Sequence, residues 1–109
     1  DIALDTFPYT GVTTSFEAIW MGVPVLTMRG HNFQSRCGES INKNINLDYL
    51  IAKNEKDYFK KAEELSINNE KLLDIRKIIF KNAQSSPLFD DLKFSKEFFK
   101  SLEKLYNKL

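Results

Sequence analysis

An α/β fold, with short parallel strands followed by a helical C-terminal half, is what three features of this 109-residue sequence predict. All four glycines (Gly11, Gly22, Gly30, Gly38) and two of the three prolines (Pro8, Pro24) lie within the first 38 residues, so turns are concentrated there. In that same part, two short β-type runs are separated by 18 residues, enough for a right-handed crossover between parallel strands. From Asn54 onward glycine is absent and apolar residues recur at helical spacing behind capping residues.

Taken in order, Asp1-Ile2-Ala3-Leu4-Asp5 reads as a short buried strand, ended by turn residues around Pro8 and Gly11. Thr13 to Met21 reads as a helix, with Phe16, Ala18, Ile19 and Trp20 as its apolar face and Gly22 as its stop. Pro24-Val25-Leu26-Thr27-Met28 is a second strand, with proline tolerated at its first position. Residues 35–43 form a further short helix and Tyr49-Leu50-Ile51-Ala52 a third strand, a doubly wound pattern in miniature. Asn54 caps a helix carrying Tyr58, Phe59, Ala62 and Leu65. Asn68 or Asn69 caps the next, with Leu72, Ile75, Ile79 and Ala83 on one stripe. Ser85-Ser86-Pro87 breaks the chain. A last helix from about Asp91 carries Phe94, Phe98, Leu102, Leu105 and Leu109, widened by Phe99 and Tyr106. This divides the chain into a strand-helix-strand part, 1–53, and C-terminal helices, 54–109.

Composition narrows the function classes. A chain of this size is one small domain, able to bury roughly 65 % of its unfolded surface. Lys+Arg 16 against Asp+Glu 15 gives no electrostatic case for nucleic acid or an anionic membrane. The first 50 residues carry three basic and five acidic groups, the rest thirteen and ten, so the sign changes between the halves. The lone Cys37 cannot close an internal disulfide and points to a reducing compartment. No apolar run reaches the ~20 residues of a membrane span. The chain opens at Asp1 directly on an apolar run, the look of a piece cut from a longer protein. Abundant Lys, Asn and Ile, with the single cysteine, suggest bacterial cytoplasm.

The chemistry concentrates in Phe7-Pro8-Tyr9-Thr10-Gly11-Val12-Thr13-Thr14-Ser15-Phe16-Glu17, which follows a strand and opens a helix. Free amides and the positive end of the helix dipole favour an anion such as a diphosphate there. Gly11 allows close approach, and Thr13 and Thr14 add hydroxyls. Open α/β sheets bind ligands at this edge. Glu17, one turn on, suits the two hydroxyls of a ribose. The competing reading is structural: Thr14-Ser15-Phe16-Glu17 also fits a capping box, in which Glu17 only satisfies a backbone N–H.

Ile2-Ala3-Leu4-Asp5-Thr6-Phe7-Pro8-Tyr9, Gly11, Thr13-Thr14, Trp20-Met21-Gly22-Val23-Pro24-Val25, Leu50-Ile51-Ala52-Lys53-Asn54 with Tyr58, and Ser85-Ser86-Pro87-Leu88-Phe89 together resemble the C-terminal end of the O-GlcNAc transferase and Spindly family. The landmarks occur in order and cover nearly the whole chain. The resemblance implies part of the C-terminal Rossmann-like lobe of a GT-B glycosyltransferase, usually preceded by tetratricopeptide repeats. It implies inverting, metal-independent transfer of a sugar from a nucleotide donor to protein Ser or Thr, with no cofactor beyond the UDP- or GDP-linked substrate. Carried over by position, Thr13 and Thr14 hold the donor diphosphate, which Gly11 lets approach the backbone, Glu17 binds the ribose and Tyr9 lies beside the donor sugar. Val12 stands where O-GlcNAc transferases have His, and Glu17 where they have Asp. Spindly-type proteins, which use GDP-fucose, share both departures, so the donor nucleotide is open. The resemblance also implies that base recognition, the diphosphate lysine and an acceptor-side histidine precede Asp1. The chain alone is then not expected to transfer sugar.

Other residues carry blander readings. His31 is a solvated loop histidine with no partner at metal-ligand spacing, and Cys37 is a small helix residue. Arg36 braces the loop near the donor edge or forms a surface ion pair. The aromatic stripe of the last helix reads as core or interlobe packing, and the resemblance implies that part of it is exposed here, where the other lobe is absent, or is covered in a homo-oligomer. A non-catalytic helical interaction module is the rival function.

Overall fold

The computed structural model describes residues 1–108. Its sheet has three parallel strands in the order β1 (Ala3–Leu4), β2 (Val25–Met28) and β3 (Ile51–Ala52), with β2 in the middle. Ala3 is in register with Val25, and Thr27 with Ile51. The crossovers are α1 (Thr13–Trp20) and α2 (Cys37–Asn44), the latter entered through a 3-10 turn at Gln34–Arg36. Then follow α3 (Glu55–Ile67), α4 (Asn69–Ser85), a 3-10 turn at Pro87–Phe89, and α5 (Asp91–Tyr106).

Both crossover helices end in the same way. Val23 N–H donates to Ala18 O (2.8 Å) and Gly22 N–H to Ile19 O (2.9 Å), with Gly22 at φ 71°. Leu47 N–H donates to Asn42 O (2.9 Å) and Asn46 N–H to Lys43 O (3.1 Å), with Asn46 at φ 57°. Glycine and asparagine are the residues that enter this left-handed region cheaply, and the paired bonds satisfy the last helical carbonyls while turning the chain toward the next strand.

The core lies between the sheet and the helices. Ile19, Val25, Ile41, Ile45, Leu47, Leu50, Leu65, Ile75, Ile79 and Ala83 are all buried in one cluster. Asn54 and Asn68 cap α3 and α4 by accepting from Asp57 N–H and Lys71 N–H, both at 2.9 Å. After the Ser86-Pro87 break, Phe89 folds back on α1, its ring 5.6 Å from Phe16 and 5.3 Å from Trp20. β2 pairs with β3 only from Thr27, so the Val25 carbonyl instead accepts from the buried Asn42 amide (2.8 Å).

Two local readings change. The first strand is not fully buried: Ile2 and Ala3 are half-buried and Leu4 is 59 % exposed, because β1 is paired on one edge only among the described residues. Tyr49 lies not in a strand but in a 3-10 turn, Asp48–Leu50, closed by Leu50 N–H on Leu47 O (3.0 Å), which drives Leu50 into the core. Along α5 no described side chain is buried; Phe94, Phe98, Phe99, Leu102 and Leu105 all face solvent, and Leu109 lies outside the described residues. No helix among the described residues is long and apolar enough to cross a membrane.

Candidate functional site

The turn between β1 and α1 is organised by a residue that sequence patterning assigned merely to the end of a strand. Asp5 N–H continues the ladder to Leu26 O (2.9 Å), while its side chain turns into the loop. Oδ1 accepts from Thr6 N–H (3.1 Å) and Gly11 N–H (2.8 Å), and Oδ2 accepts from the Thr27 hydroxyl (2.7 Å). One carboxylate thus ties the start of the loop, its far end and the central strand. From α3, the Tyr58 hydroxyl donates to Asp5 O (2.8 Å). Burial first, and then the Asp5 charge, push the Tyr58 phenol above its ordinary value, so it stays a donor.

Two further bonds set the loop's shape. Thr6 Oγ1 donates to Tyr9 O (2.7 Å), and buried Thr10 donates through Oγ1 to Gln34 O (2.7 Å). The second anchors the turn to the segment after β2. Two glycines of this frame leave room for their neighbours, and at Gly11 a side chain would oblige the Thr14 hydroxyl to turn aside. A Cβ on Gly11 would lie 2.6 Å from Thr14 Oγ1, and one on Gly38 would lie 2.6 Å from Asp5 Oδ2 and strike the Thr27 hydroxyl.

Against this frame α1 begins with Thr13 and Thr14 exposed. Val12 occupies the N-cap position and provides no side-chain cap. The capping box therefore does not form: Thr14 sits inside the first turn, not before it, and Glu17 is exposed without a hydrogen-bond partner among the described residues. The first intrahelical bond is Phe16 N–H to Val12 O (3.0 Å), which leaves the amides of Thr13, Thr14 and Ser15 without acceptors among the described residues. Ser15 instead turns inward, donating to Gly11 O (3.0 Å). Thr13 and Glu17 share one face at i and i+4. Tyr9 is 68 % exposed on the neighbouring loop. The structure thus brings Tyr9, Gly11, Thr13, Thr14 and Glu17 to the C-terminal edge of the sheet.

Beside this edge runs a groove of about 580 Å³ walled by Val12, Phe16, Phe33, Ile41 and Leu88. Its floor carries Glu39, whose side chain is 3 % exposed and is approached by Lys43 Nζ (2.9 Å), Arg36 Nε (2.9 Å) and Arg29 Nε (3.4 Å). Burial alone would raise the Glu39 carboxyl, but the Lys43 and Arg36 hydrogen bonds and the Arg29 charge outweigh it and hold the group below its ordinary 4.5. Of the two readings of Arg36, the structure shows the ion pair, made with Glu39 three residues on. His31 is exposed in the loop after β2, and Cys37 donates to Phe33 O (3.3 Å).

Patterning missed Asp5, Thr10, Thr27 and Tyr58. Their partners are distant in sequence, up to 53 positions for Tyr58 and Asp5, and no local spacing reports that. The available signal was a carboxylate closing a strand just before a proline-glycine turn, a position suited to binding turn amides.

Comparison with known proteins puts this geometry in a family. Residues 1–98 match the model described as Glycosyl transferase family 41. A probable UDP-N-acetylglucosamine–peptide N-acetylglucosaminyltransferase SPINDLY of Eustoma exaltatum subsp. russellianum is 43 % identical over 94 residues, covering 86 % of this chain and 10 % of the relative. The SPINDLY protein of Solanum lycopersicum is 37 % identical over all 109 residues, 11 % of its own length. Among solved structures, a point mutant of the Thermobaculum terrenum O-GlcNAc transferase superposes with a TM-score of 0.90 at 31 % identity, covering 98 % of this chain and 21 % of that one. The chain thus spans about a tenth of the curated relatives it matches. The fold is a partial Rossmann-like lobe of the GT-B type, and the chain belongs to glycosyl transferase family 41.

Proposed function

We propose that this chain is the donor-holding part of a longer protein glycosyltransferase, which transfers a sugar from a nucleotide donor to Ser or Thr of an acceptor protein. The observation that carries the reading is the uncapped start of α1, where amides and the Thr13 and Thr14 hydroxyls lie open beside Gly11. The amides and helix dipole stabilise a diphosphate, and more so as it departs with developing charge while the acceptor hydroxyl attacks the anomeric carbon. Glu17 then holds the ribose and Tyr9 borders the donor sugar. The activity for which the relatives are named favours a UDP-GlcNAc-like donor. A GDP-linked donor is the second reading, favoured by Val12 and Glu17 in place of His and Asp. No metal or cofactor is assigned a role. The exposed apolar face of α5 fits packing on the rest of the longer enzyme, with a homo-oligomer contact as the alternative use. The tetratricopeptide repeats and the bacterial cytoplasmic setting belong to the same proposal.

Saturation-transfer NMR of the chain with UDP-GlcNAc and with GDP-fucose tests the reading. Ligand signals that are displaced by pyrophosphate and abolished in Thr13→Ala/Thr14→Ala support it. Signals indifferent to both changes contradict it.

A further inference from the structure

A second cavity opens at the same end of the sheet, with a different chemistry from the donor turn. It measures about 340 Å³ and is lined by Asp5, Phe7, Met28, Glu55, Tyr58 and Phe59. The topology assembles it: Asp5 follows β1, Met28 ends β2 and Glu55 opens α3. Phe7 and Phe59 are exposed at 47 % and 71 %, and the Tyr58 and Phe59 rings stand nearly perpendicular, 6.4 Å apart. Among the described residues, no Lys, Arg or His lines the cavity. Neither Asp5 nor Glu55 has an ion-pair partner among the described residues. The Asp5 carboxylate is taken up by Thr6, Gly11 and Thr27 on the side of the donor turn, so Glu55 is the acidic side chain of this lining that is free to meet an occupant.

Such a lining selects its occupant. An anion would meet the Glu55 carboxylate, and a neutral apolar group would desolvate it without compensation. A cation on a hydrocarbon stem satisfies both features: the stem packs on Met28 and the rings, and the head lies against the ring faces and the Glu55 carboxylate. The volume is at the lower end of ligand sites, about 300–1,000 Å³, which suits a single long side chain. We propose that this cavity receives a protonated arginine or lysine side chain of the acceptor polypeptide, close to the residue that is glycosylated. The assignment to an acceptor rests on the donor reading above, because the cavity shares Asp5 and the Thr6–Tyr9 loop with the donor turn. Phe59 and Glu55 are then specificity-determining residues that recognise a basic position next to the acceptor hydroxyl.

The test follows the Met28 methyl and the Tyr58 and Phe59 ring signals of the chain by NMR during titration with a capped Gly-Ser-Arg-Gly peptide. The same peptide with citrulline in place of arginine keeps the shape and loses the charge. Expected are shifts at Met28, Tyr58 and Phe59 with the arginine peptide, and roughly fivefold or more weaker binding of the citrulline peptide. Comparable weakening is expected in Phe59→Ala and in Glu55→Gln, two exposed positions whose variants are checked for intact Ile19 and Ile79 methyl signals. Equal binding of both peptides overturns the proposal, as does the absence of shifts at Met28. A parallel UDP titration separates the two readings. UDP shifts at Gly11–Thr14 without peptide shifts at Met28 overturn the cavity proposal alone. Peptide shifts at Met28 without UDP shifts overturn the donor reading, and the acceptor assignment with it.

Discussion

In the turn from Asp5 to Thr14, one carboxylate accepts from three groups and the loop is tied to β2, to the segment before α2 and to α3, by bonds spanning 22 to 53 positions. In α5, side-chain hydrogen bonds among the described residues reach at most four positions, as in Asp90 to Lys93 and Ser101 to Glu97. Both regions are exposed, but only the turn is fixed from several directions. A part-buried polar network of this kind is costly to break and holds its groups in one geometry. A helix with no buried side chain has little to lose when its surface changes. The turn is thus pre-organised before any ligand arrives, and α5 presents a face that no described residue covers.

Substitutions break this contrast in graded steps. Asp5→Ala leaves two amides and a hydroxyl without their acceptor and should cost about 2–4 kcal/mol in urea unfolding. Gly38→Ala puts a methyl against Asp5 Oδ2 and Thr27, with an expected loss of about 1–3 kcal/mol by the same measurement. Glu39→Gln should cost about 1–2 kcal/mol at neutral pH, a modest value because its three cations keep about half their surface in water. The sign of its pH dependence follows from the lowered carboxyl. The Glu39 contribution is fully present above its unfolded value near 4.5 and is lost as pH falls through the lower folded value, so the variant's acid-unfolding limb should be flatter there. Phe98→Gln, on α5, should move stability by less than about 0.5 kcal/mol. A loss near that of Asp5→Ala would mean that α5 packs on something within this chain, and the contrast would fail.

Strands, helices and caps were legible because their signals are local. Gly22 stops α1, Asn54 and Asn68 start α3 and α4, and the Leu72, Ile75, Ile79 and Ala83 stripe is buried as its spacing requires. Tyr49 was misplaced because an apolar run of four gives no sign of the turn that buries Leu50. The candidate residues of the turn are named by a strand-turn-helix pattern and by the family resemblance. The frame beneath them is not, since Asp5, Thr27 and Tyr58 meet only after three separate elements have packed.

The central claim is that Asp5 holds the start of α1 ready for a diphosphate, and an amide-detected NMR titration of the chain with pyrophosphate, beside Asp5→Asn, tests it most directly. The expected result is saturable shifts confined to the amides of Gly11, Thr13, Thr14 and Ser15, weakened several-fold in a folded Asp5→Asn variant. Shifts scattered over the lysine-rich helices, or unchanged in that variant, would contradict it.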